Sequence, residues 1–209
     1  MESIFSMKSY RQFDTLSFTK VIHKLVQDVF HELTAAVGNE HIYVFALYTN
    51  DEGSYVLPTA NTQEALERTA LQQSQSTPEL HTYYQQSLRW SPCDWEYHES
   101  GSETALAAVN NLLDSGWDDD YTSFLFDPDL IEHCCISALQ QLQREKFFDN
   151  LAQGSPPLLN LLKGDQSNEE RLTFAALLNS PEACAQLAIE LDQGYDAYRT
   201  IFDRQWREP

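Results

Sequence analysis

Residues 88–101, LRWSPCDWEYHESG, gather a thiol (Cys93), an imidazole (His98), carboxylates (Asp94, Glu96, Glu99), a guanidinium (Arg89) and two indoles within fourteen positions. Three chemistries draw on such groups. A zinc site would join Cys93 and His98 to His133, Cys134 and Cys135, but structural zinc takes tight ligand pairs such as C-x2-C or H-x3-H, and neither spacing occurs. Cys134 also shares a helical stripe with Ile131, which reads as core. A cysteine hydrolase would need the Cys93 thiolate activated by His98 or His41 and a third group orienting the base. Asp94 and Glu96 beside the thiol oppose that charge. Carboxylate chemistry would use Asp94, Glu96, Asp118, Asp119 and Asp120, yet a chain with 32 acidic residues always shows some clustering. The DDDY stretch departs from a calcium loop, and no phosphate-cradling, nucleophile-elbow or H-E-x-x-H motif is present. The sequence therefore predicts no catalytic residue, no metal and no cofactor. An enzyme or metal-binding protein built on Cys93, His98 and nearby carboxylates is the alternative reading.

Charge says more. The formal net charge is −19, from 32 acidic and 13 basic side chains. Such a field repels phosphate backbones and anionic lipid, so neither nucleic acid nor membrane is an expected partner. Between Arg89 and Arg144 there is no lysine or arginine, while Asp94, Glu96, Glu99, Glu103, Asp114, Asp118, Asp119, Asp120, Asp127, Asp129 and Glu132 fall in that interval. Solubility requires charge but not one-sign segregation over some fifty residues. Interleaved with Trp95, Tyr97, Trp117 and Tyr121, the interval reads as a steering surface with aromatic anchors for a basic protein. The partner-binding candidates are thus Asp94, Trp95, Glu96, Tyr97, Glu99, Trp117, Asp118, Asp119, Asp120 and Tyr121. Arg89, Trp90 and Pro92 read instead as parts that fasten and stiffen a turn, Arg89 through Asp94 or another carboxylate.

The elements that must position these residues are legible in outline. Phe18, Ile22, Leu25, Val29, Leu33 and Ala36 recur at three and four, predicting a helix over 14–37 that stops near Gly38-Asn39. HIYVFALYT (41–49), NDEG (50–53) and SYVLPTA (54–60) predict an antiparallel hairpin, its first strand central and covered on both faces, with Pro58 ending the second or marking an edge. Asn61 and Glu64 predict the cap of a helix over 62–75, and Thr77-Pro78 opens a shorter one leading into SLRW, which reads as a possible third strand. Ser102 and Glu103 open a helix ended by Gly116. Asp127-Pro128 starts another whose stripe is Leu130, Ile131, Cys134, Ala138, Leu142 and Phe147. GSPP (154–157) is a loop, LLNLLKG (158–164) reads as a last strand or a helical turn, Ser167 with Glu170 caps a helix, and Pro181 opens a terminal one to about Phe202.

With 42% hydrophobic and 12% aromatic residues, the 209-residue chain has ordinary globular composition and is expected to form one domain. The expected class is α+β: helix-rich, with a small, mainly antiparallel sheet covered by long helices. MESIFSMKSYRQF lacks an apolar leader core, no run spans a bilayer, and four irregularly spaced cysteines suit reduced thiols, so the reading is cytoplasmic. The sequence leaves the oligomeric state open.

Three blocks, YVFALYTNDEGSYVLPTANTQEAL, LRWSPCDWEYH and GDQSNEERLTFAALLNSPE, resemble the landmarks of the bacterial domain of unknown function family 4303, over about residues 20–190. The resemblance brings no enzymatic activity and no catalytic residue. It implies a small cytosolic protein encoded near contact-delivered toxins, an immunity protein whose partner is a cognate toxin or effector. An intracellular adaptor with no toxin link is a further alternative.

Overall fold

The computed structural model describes residues 10–151 and 155–206; the Met1–Ser9 stretch read for a leader and Gly154 of the GSPP loop lie outside them. Helix α1 (Thr15–Val37) begins where the Asp14 carboxylate accepts from the Ser17 N–H, and ends at Gly38, whose φ of 61° lies where a side chain is strained. Strand β1 (Ile42–Thr49) is buried along its whole length. It pairs antiparallel with β2 (Leu57–Thr62) and parallel with β3 (Leu158–Lys163), in the order β2-β1-β3. The central place of β1 follows from its continuous apolar run, and the edge place of β2 accommodates Pro58.

The helix-rich α+β class is the observed one, with a correction to the sheet, which is mixed. Between β2 and β3 lie α2 (Gln63–Gln73), α3 (His81–Leu88), α4 (Glu103–Asp114), α5 (Pro128–Arg144) and α6 (Phe147–Leu151). β2 ends beside the start of β1, where Thr62 pairs with Ile42. The connection therefore has to carry the chain across β1 to its other edge, where a strand starting from that end runs parallel to β1 and where a hairpin cannot reach. After β3 come α7 (Asn168–Leu178) and α8 (Pro181–Trp206).

Three local expectations are also corrected. SLRW is the last turn of α3 and its exit, not a strand. The cap of α2 is Thr62, whose hydroxyl accepts from the Ala65 N–H at 2.9 Å, while the Asn61 amide donates to the Tyr43 hydroxyl at 3.1 Å. Glu64 accepts instead from the His41 N–H at 2.9 Å and ties α2 to the root of β1. Leu130 is 38% exposed, outside the stripe that Ile131, Cys134, Ala138 and Leu142 bury. The Ser167–Glu170 capping box of α7 forms as read, and Asp127 caps α5.

Side chains alternate across β1 into two cores. Phe45 and Leu47 join Phe18, Ile22, Val29 and Phe30 of α1 and Leu139 and Leu142 of α5. Val44, Ala46 and Tyr48 join Leu66, Trp90, Trp95, Leu187 and Leu191 on the other face. The open edge of β3 is covered by side-chain amides: Asn179 accepts from the Leu159 N–H at 2.9 Å and donates to its carbonyl at 2.7 Å, and Asn160 and Gln166 serve the Leu161 N–H and carbonyl. An amide pairing like a further strand removes an edge that would otherwise template aggregation.

Candidate interaction surface

The stretch around the two indoles is built inward from α3. Arg89, at the end of that helix, donates from Nε to Glu190 of α8 at 2.8 Å and from Nη1 to Gln63 at 3.0 Å, and its guanidinium stacks 4.4 Å from the Tyr43 ring centre. Trp90 donates its indole N–H to the same Glu190 oxygen at 2.9 Å. The carboxylate partner of Arg89 is therefore Glu190, not the adjacent Asp94, which accepts from Ser91 across the turn opened by Pro92. The Tyr43 hydroxyl donates to the Arg89 carbonyl at 2.7 Å, and burial holds that phenol well above its ordinary pKa. Trp95 is 4% exposed, its N–H shared between the Leu88 and Arg89 carbonyls at 3.3 and 3.2 Å. It is a core residue that closes the end of α3.

Beyond Trp95 the chain runs beside β2, where the Ala60 N–H donates to the Tyr97 carbonyl at 3.1 Å. Arg68 of α2 donates to Glu96 at 3.0 Å and to Glu40 at 2.6 Å, and Glu40 also accepts from Thr62 and from the Tyr97 hydroxyl. Glu96 is thus answered by a cation from outside the cation-free interval, and Glu132 likewise by Lys163 at 3.1 Å. The hydrogen bond from Arg68 holds the Glu40 carboxyl below its ordinary pKa, against a desolvation that raises it. A carboxylate with a depressed folded pKa stabilises the fold fully at neutral pH and loses that contribution as pH falls through the glutamate range to the folded value. Arg68→Met is therefore expected to cost stability at pH 7, with the difference from the parent shrinking as pH falls through the glutamate range; urea unfolding at neutral and at acid pH reads it, and a difference that does not shrink would refute the coupling.

Cys93 is exposed, and the partner of its sulfur is the Tyr48 hydroxyl at 3.4 Å. That contact raises the Tyr48 phenol above its usual range, with burial adding to it. His98 stands edge-on to the Tyr48 ring at 5.0 Å, with Nδ1 3.1 Å from the Thr59 hydroxyl. His41 lines a separate cavity of about 480 Å³ with Tyr43, Arg89, Trp90 and Leu187. Among the described residues no imidazole hydrogen-bonds the Cys93 thiol, and no three His, Cys, Asp or Glu side chains converge as metal ligands would.

The second group of candidates occupies the loop between α4 and α5. Gly116 admits the rings of Phe124 and Phe126, since a Cβ there would meet them at 2.6 and 2.7 Å. Trp117 packs against Phe124 with ring centres 5.3 Å apart. The Asp118 carboxylate accepts from the Thr122 N–H at 2.7 Å and its hydroxyl at 2.9 Å, which lowers its pKa; Arg11 nearby adds to the shift. Arg11 donates to the Ser115 and Trp117 carbonyls at 3.1 and 2.9 Å. Asp118 is thus an internal staple of the loop. Asp119 and Asp120 are exposed, and Tyr121, at φ 54°, is held out with 71% of its surface exposed.

The ten candidates therefore divide by what their side chains do. Trp95, Glu96, Tyr97 and Asp118 hold local structure, Asp94 accepts from Ser91, and Trp117 is half-buried. Glu99, Asp119, Asp120 and Tyr121 present themselves to solvent. Arg11, Arg68 and Glu190, which orient these segments, gave no local sequence signal because each acts across many residues.

A small mixed sheet between two helical cores, with an acidic and aromatic loop pinned at its base, makes up a helix-rich α+β domain. The chain belongs to the family described as domain of unknown function (DUF4303), whose model matches residues 22–180. Comparison with curated proteins and with solved structures gives no match. Among the described residues no helix is long and apolar enough to cross a membrane.

Proposed function

We propose that the protein is a cytoplasmic immunity protein that neutralises a cognate basic toxin by stoichiometric association, and that the 116–124 loop leads the contact. The carrying observation is Tyr121, 71% exposed on a left-handed backbone beside Asp119 and Asp120. A rigidly presented tyrosine contributes contact area at small entropic cost, and surrounding charge of one sign speeds encounter with an opposite surface. Eleven acids without a cation between Arg89 and Arg144 supply that sign.

The test is association with the protein encoded by the adjacent gene. Asp119→Lys with Asp120→Lys is expected to lower the on-rate at least about tenfold at low salt and to flatten its dependence on ionic strength. Asp118 is left intact because its reversal would unpin the loop. An unchanged on-rate, or no complex at low salt, would refute the reading.

A further inference from the structure

We draw no further inference here: the strongest candidate, the cavity of about 480 Å³ that Tyr43, Arg89, Trp90 and Leu187 line between the start of β3 and the first half of α8, carries nothing, because Arg89 and Glu190 of its wall already pair with each other and nothing in the structure shows what occupies it.

Discussion

Trp95→Ala is expected to lower the unfolding free energy by about 3–5 kcal/mol, a cost typical of removing a buried aromatic residue. The indole sits in the second core with its ring centre 6.5 Å from that of Tyr43 and 6.4 Å from that of Trp90. Its N–H answers the Leu88 and Arg89 carbonyls, among the last of α3, which have no partner within the helix. Truncation thus leaves a cavity and removes one donor from two carbonyls that the Ser91 N–H and the Tyr43 hydroxyl still serve. Trp95→Phe separates the effects, keeping most of the volume and losing the donor, for about 1 kcal/mol plus a repacking term. Urea unfolding of the isolated chain reads both. An exposed partner anchor would behave in the opposite way, with alanine nearly neutral in the free protein, so an effect below about 0.5 kcal/mol would return Trp95 to the binding surface.

The parts of this fold that are legible in the sequence are those whose cause is local. Phe18, Ile22, Leu25 and Val29 repeat with the helical period, Ser167 and Glu170 stand at the spacing of a capping box, and the unbroken apolar run of β1 requires cover on both faces. The direction of β3 is not local. LLNLLK has the same pattern whether it runs with or against β1, and the sheet becomes mixed only through the path of the five helices between β2 and β3. Asn61 and Thr62 are both buried, and the choice of cap turns on which sheet face each side chain takes: the Asn61 amide is taken up by the Tyr43 hydroxyl, and a step of one residue along the strand turns Thr62 toward the new helix. Among the candidate residues, composition shows that acids and aromatics alternate but not which are occupied. Glu96 and Asp118 have the residue type of a steering surface, and only the positions of Arg68 and Thr122 show them holding structure. Asp119, Asp120 and Tyr121 remain available because that loop is pinned at its base rather than at its tip.

Glu190→Ala is expected to cost about 3 kcal/mol, more than a surface carboxylate would, because one oxygen serves two donors from the turn that carries the Arg-Trp pair. Its side chain is 15% exposed and that of Arg89 24%, so neither group regains full hydration when the other is lost. Arg89 would still lie over Tyr43 and donate to Gln63, whereas the Trp90 N–H would lose its acceptor. Glu190→Gln keeps an acceptor for the indole and removes the charge, and is expected to cost about half as much. A double-mutant cycle with Arg89→Ala isolates the pair, with a coupling above about 1 kcal/mol expected. If Glu190→Ala unfolds within about 0.5 kcal/mol of the parent, the turn is held by Tyr43 and Gln63 alone. The consequence reaches past one side chain, because the family model ends at residue 180 while Glu190, Leu187 and Leu191 lie beyond it. A chain cut after residue 180 would keep the landmark blocks but for Pro181 and Glu182, and lose the partner of the Arg-Trp turn together with one wall of the second core. It is expected to show no cooperative urea transition, so the unit that folds extends into α8.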